Sequence, residues 1–151
     1  MRQTFLALRS IWQSVAAVVN KAARIEDLMQ PSNVMLLQSD PNVAQTLAAS
    51  LANSFHRVHV AKSVEELRQV AAKHRPFAII IDLESASLAD VEALKSEFQG
   101  IRVVCNHRVA DEEMWTQTMN AGADDFCPSS DMRGILHATV PEKAAANRMA
   151  A

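Results

Sequence analysis

Phe77-Ala78-Ile79-Ile80-Ile81 is an uninterrupted apolar run that ends in a carboxylate, Asp82. A run of this length and isoleucine content suits a strand buried on both faces, the situation of a central strand in a parallel sheet. Around it the period of the pattern switches repeatedly. Val34 to Leu37 is a short apolar strand, and Asp40-Pro41 pairs an N-cap residue with a first-turn proline, opening a helix to about Phe55. Arg57 to Ala61 alternates as a second strand, and Ser63-Val64-Glu65-Glu66 has capping-box spacing for a helix to about Lys73. After the central strand, Ser87 caps a helix from Leu88 to Phe98, Gly100 ends it, and Ile101 to Cys105 is a fourth strand. Asp111-Glu112-Glu113 sets negative charge at a helix start, and Ala121-Gly122 supplies the glycine stop. Asp125 to Cys127 is a fifth strand, and Ser130 caps a last helix to about Thr139. Five strands alternating with five helices predict an α/β domain over 31–140, a doubly wound parallel sheet with helices on both faces. The expected core runs through Leu36, Leu37, Leu47, Leu51, Val58, Val60, Leu67, Ile79, Ile80, Ile81, Leu94, Val103, Val104 and Phe126.

Two segments fall outside this alternation. In residues 1–30, Phe5, Leu8, Trp12, Val15, Val19 and Ala22 step by three and four, the seam of an extra amphipathic N-terminal helix. Such a helix must cover its apolar stripe by packing on its own domain, by dimerisation or partner docking, or by lying in a membrane interface, which its four basic residues and Trp12 allow. Pro31-Ser32-Asn33 is a linker, and residues 141–151 are an Ala-rich tail.

Composition narrows the function classes. The chain has 151 residues, 49% apolar and 21% charged, the balance of one globular domain with an added element. A net charge of −2 gives no general attraction to nucleic acid. No apolar stretch reaches transmembrane length, and the N-terminal segment lacks the continuous apolar core of a signal peptide. Two cysteines are too few for a disulfide framework, which points to a reducing, cytoplasmic setting. With three glycines and no G-x-G-x-x-G or P-loop, a nucleotide site is not expected. Ligands of open α/β sheets sit beyond the carboxyl ends of the strands, which puts Asp82 where a site would be.

Val34-Met35-Leu36-Leu37-Gln38-Ser39-Asp40-Pro41, Ile80-Ile81-Asp82 and above all Ala121-Gly122-Ala123-Asp124-Asp125-Phe126 resemble the receiver domains of bacterial response regulators. The resemblance spans Asn33 to about Thr139 and implies a flavodoxin-like sheet in the order 2-1-3-4-5. A working receiver would have an acidic pair after its first strand, a phospho-accepting Asp after the third, Ser or Thr after the fourth and Lys after the fifth. Carboxylates there hold Mg²⁺, and Lys and hydroxyl hold the phosphoryl oxygens. Matched to that pattern, the acidic pair falls at Gln38 and Ser39, with Asp40 one place on. The acceptor is Asp82, the Ser/Thr position falls at His107, with Asn106 one place before it, and the Lys position at Ser129. The resemblance is therefore to an atypical, or pseudo-, receiver with a vestigial pocket. Such domains occur alone, at the front of pilus-assembly and localisation ATPases, and in transcription or antitermination regulators, and they work by binding protein partners. The expectation is an interaction module, not an enzyme, with no cofactor. The alternative is a degenerate receiver still phosphorylated on Asp82, with Asp40 helping to bind Mg²⁺.

Three other features carry weaker expectations. Cys105, His107 and Cys127 end neighbouring strands, but without metal-site spacing the cysteines read as small buried hydrophobes. His56, His59, His74 and His137 are scattered along the chain. Trp115, one turn before Thr118 and Met119, lies on the helix that receivers use in their partner surface, where an exposed Trp would be an anchor. If the N-terminal seam joins two copies, replacing Trp12 and Val15 by Glu shifts the oligomeric state in analytical ultracentrifugation; an unchanged sedimentation profile removes the seam from the account.

Overall fold

The computed structural model describes residues 33–140. The expected N-terminal helix with its seam Phe5, Leu8, Trp12, Val15 and Val19, and the Ala-rich tail, lie outside the described residues. The elements are β1 (Asn33–Leu37), α1 (Pro41–Leu51), β2 (Arg57–Ala61), α2 (Val64–His74), β3 (Ala78–Asp82), α3 (Leu88–Glu97), β4 (Arg102–His107), α4 (Glu112–Asn120), β5 (Asp125–Pro128) and α5 (Met132–Thr139). The five strands form one parallel sheet in the order β2-β1-β3-β4-β5, the flavodoxin-like arrangement.

β3 lies at the centre and every one of its residues is buried. Side chains alternate along a strand, so its apolar run feeds two cores. Ile79 and Ile81 pack with Leu67 and Ala71 of α2, Val91 and Leu94 of α3, and the partly buried Met114 of α4. Ala78 and Ile80 pack with Leu47 and Leu51 of α1 and Ile135 and Ala138 of α5.

Helix boundaries follow local chemistry. Asp40 caps α1 through Asn42 N–H, and Ser63 caps α2 through Glu66 N–H. The Ser63 box is only half made, because the Glu66 carboxylate accepts from Lys62 N–H at 3.0 Å instead of from the cap residue. The full reciprocal box is Ser87 with Asp90, at the start of α3. Asp131, not Ser130, caps α5, by accepting from Gly134 N–H. α1 stops at Leu51, four residues short of the sequence expectation, yet Phe55 remains buried beyond the turn. Gly122 follows α4 with φ +104°, a left-handed conformation that side chains resist.

Two core assignments change. Val60 is 43% exposed and Val58 only partly covered, because β2 is an edge strand with a neighbour on one side. Phe77 precedes β3 and is largely exposed, leaning on Phe55 with ring centroids 6.1 Å apart. Truncation separates core from edge: Leu47→Ala should lower the unfolding free energy by about 2–5 kcal/mol. Val60→Ala should cost under about 1 kcal/mol; equal losses in urea denaturation would contradict this placement of β2.

Candidate functional site

The carboxyl ends of β1, β3, β4 and β5 bring Gln38, Asp82, Asn106 and Ser129 to one edge of the sheet. Asp82 closes β3 and is 4% exposed. Its register partner on β4 is Asn106, fully buried. A buried polar group is tolerated only when it is paired, and two hydrogen-bonded groups meet that demand here. In the first, the Asn106 and Gln38 amides bond reciprocally. Gln38 Nε2 donates to Asn106 Oδ1 at 2.8 Å, and Asn106 Nδ2 donates back to Gln38 Oε1 at 3.0 Å. The second Asn106 Nδ2 proton goes to Ser129 Oγ at 2.9 Å. β1, β4 and the end of β5 are thus tied by neutral side chains.

In the second group, Asp82 Oδ2 accepts from Ser39 N–H at 3.1 Å and from the Ser39 hydroxyl, while Oδ1 accepts from Glu84 N–H at 2.9 Å. The same hydroxyl stands 3.2 Å from Glu84 Oε2, so its single proton lies between two carboxylates. Glu84 Oε1 receives Arg108 Nε at 2.6 Å. That hydrogen bond, with the added attraction of Asp82 and Asp40, raises the Arg108 guanidinium further above its ordinary range and keeps it charged. Arg108 itself is solvent-facing and links the loop after β3 to the loop after β4.

No family model matches the sequence, and no curated protein matches it. Solved structures do match in three dimensions. A Burkholderia pseudomallei response regulator, crystallised with a phosphorylated aspartic acid, calcium ion and citrate, is 20% identical with TM-score 0.64, over 80% of this chain and 73% of that one. The Vibrio cholerae chemotaxis protein CheY4 is 16% identical with TM-score 0.62, over 73% of this chain and 99% of that one. A CheY-like protein (TadZ) from Pseudomonas aeruginosa PAO1 is 28% identical with TM-score 0.57, over 70% of this chain and 91% of that one. The domain has the receiver fold.

Within this receiver fold, Gln38, Ser39, Asp82 and Ser129 lie together at the strand ends. Asp40 does not join them, because its carboxylate caps α1 by accepting from Asn42 N–H at 2.8 Å. His107 is also displaced from its expected role. Counting back from Ala121 put it at the Ser/Thr position, but the β3–β4 register sets Asn106 opposite Asp82. His107, one residue on, points to the rim, where Nδ1 accepts from Val109 N–H at 3.0 Å and Nε2 lies 3.8 Å from Glu84 Oε1. Sequence reasoning missed Glu84 and Arg108; the available signal was opposite charge on the loops that follow two strands now seen to be neighbours. Asp124 is structural. It accepts from Val103 N–H at 2.7 Å and pairs with Lys95 at 2.9 Å.

Mg²⁺ takes an octahedral shell of one or two carboxylates together with waters and phosphate oxygens. Gln38 and Ser39 are neutral, Asp40 is committed to its helix, and Glu84 is committed to Arg108. Cys105 and Cys127 are no metal or redox pair. Cys105 aligns with Phe126 and Cys127 with Asn106, so the two thiols face opposite sides of the sheet. Burial pushes Cys105 up to about 12 and Cys127 up to about 11, which keeps both protonated and unreactive at neutral pH.

Trp115 is 49% exposed on α4, whereas Thr118 one turn later is buried. The exposed Val109 lies on the β4–α4 loop, just beyond Arg108. The amide pair is testable. Asn106→Ala leaves Gln38 and Ser129 without their partner and should cost about 1–3 kcal/mol in thermal or urea unfolding; a neutral result would mean that the pair contributes nothing to stability.

Proposed function

We propose that this chain is a pseudo-receiver, a receiver-fold module that acts by binding other proteins and not by phosphorylation of Asp82, within bacterial signalling or assembly in the cytoplasm. One observation carries the reading: the Gln38–Asn106–Ser129 hydrogen-bond group occupies the strand ends that the family pattern gives to an acid, a hydroxyl and a lysine. In a phosphorylatable pocket the incoming negative charge needs a metal ion and a fixed cation, usually the largest contribution to such a transfer. Here the side chains around Asp82 are paired with one another, and Arg108 is held by Glu84. The reading assigns the chain no catalytic turnover and no cofactor.

Binding is assigned to the α4 side. Trp115 and Val109 are large apolar residues left open to solvent, beside Asp111, Glu112 and Glu113 at the start of α4. An exposed Trp is a favoured anchor in protein interfaces. The partner is another protein, a second copy of this chain, or both.

The runner-up, a degenerate receiver phosphorylated on Asp82, is favoured by the retention of that carboxylate at the end of β3. NMR titration with Mg²⁺ and beryllofluoride separates the two. The pseudo-receiver predicts no saturable shifts at millimolar ligand; saturable shifts around Asp82 that disappear in Asp82→Asn would establish the runner-up.

A further inference from the structure

The fold gathers two of the histidines that are scattered in sequence. His59 and His74 both line a cavity of about 240 Å³ beside the start of β2, at the opposite end of the sheet from Asp82. Its apolar lining comes from Met35, Val70 and Pro76, while Val58 turns its side chain to the other face of the sheet. Its rim is rich in nitrogen: Arg57 and His59 come from β2, and His74 from the last turn of α2. The strand register explains the gathering. Met35 aligns with His59, and aligned residues of parallel strands face the same side, so His59 shares the side on which Met35 packs with Leu67 and Ala71 of α2. The edge position of β2 leaves this corner uncovered.

The charges at the rim favour an anion. The Arg57 guanidinium is exposed and has no ion-pair partner among the described residues. No carboxylate is among the described residues that line the cavity, and Glu66, bonded to His59 at 3.2 Å, is also engaged by Lys62 N–H at 3.0 Å. Hydrogen bonding from these two groups lowers the Glu66 pKa, with the Lys62 amide the larger cause. The volume sets the size of the ligand. At about 30 Å³ per water the space equals about eight waters, below the range for drug-sized ligands. The apolar floor favours a ligand with a hydrocarbon body over a bare, strongly hydrated anion. A planar guanidinium fork matches a carboxylate in two hydrogen bonds.

We propose that this corner is a binding site for a small organic carboxylate, with Arg57 and His74 holding the carboxylate and Met35, Val70 and Pro76 covering its apolar body. The site is separate from the Asp82 pocket and does not depend on how that pocket is read.

Benzoate is a suitable probe, with inorganic phosphate as the anion that lacks an apolar body. In a ¹H–¹⁵N NMR titration of the full chain, benzoate should give saturable shifts at Val58, His59, Val70 and His74. Arg57→Gln should weaken binding by about tenfold, the scale of one charge-assisted hydrogen bond. Arg57 and His74 are both exposed, so Arg57→Gln and His74→Gln should keep the dispersed spectrum of the parent. Three outcomes would each overturn the proposal: no saturable shift with benzoate, equal binding of phosphate at the same amides, or benzoate binding unaffected by both substitutions.

Discussion

A carboxylate and an amide buried side by side at the ends of two central parallel strands cannot be left unpaired. Asp82 is 4% exposed and Asn106 is fully buried. Each unsatisfied polar atom there would cost about 1–3 kcal/mol, a large share of the stability of a small domain. The loops around them are arranged to meet that requirement. Ser39 turns its amide and hydroxyl to Asp82, Glu84 adds a second amide, and Gln38 and Ser129 close around Asn106. Hydrogen bonding thus joins the ends of β1, β3, β4 and β5 at the edge where open α/β sheets carry their chemistry.

The manner of pairing bears on function. Pockets that receive a phosphoryl group leave carboxylates available to a metal ion and a cation available to the transferred charge. In this domain the donors and acceptors answer one another, and Arg108 is bound to the neighbouring carboxylate Glu84. Two of the exposed apolar side chains, Val109 and Trp115, lie on the loop after β4 and on α4.

Much of the architecture was legible in sequence because it rests on short-range chemistry. Asp40-Pro41, Ser63, Ser87 and Asp111 mark helix starts through side chains that cap the first turn, and Gly122 marks an end through its left-handed backbone. The isoleucine run before Asp82 declared a strand covered on both faces, and the structure buries all of β3. Val60 misled because alternation along a strand does not reveal which strand will be the edge. The resemblance to receivers implied a pocket of Gln38, Ser39, Asp40, Asp82, His107 and Ser129, of which Gln38, Ser39, Asp82 and Ser129 meet at the strand ends.

What only the tertiary structure decided depends on register between strands far apart in sequence. Asn106 and His107 are adjacent residues, and only the alignment of β4 against β3 makes the first the hub of the pocket and turns the second to its rim. The same alignment across β4 and β5 sends Cys105 and Cys127 to opposite faces. The Glu84–Arg108 bond joins residues 24 positions apart, and the shared cavity of His59 and His74 forms because α2 packs over the edge of the sheet. Local sequence fixes where strands and helices begin and end through capping and periodicity. Which side chains meet across the sheet is set by long-range strand pairing, and no local pattern encodes it.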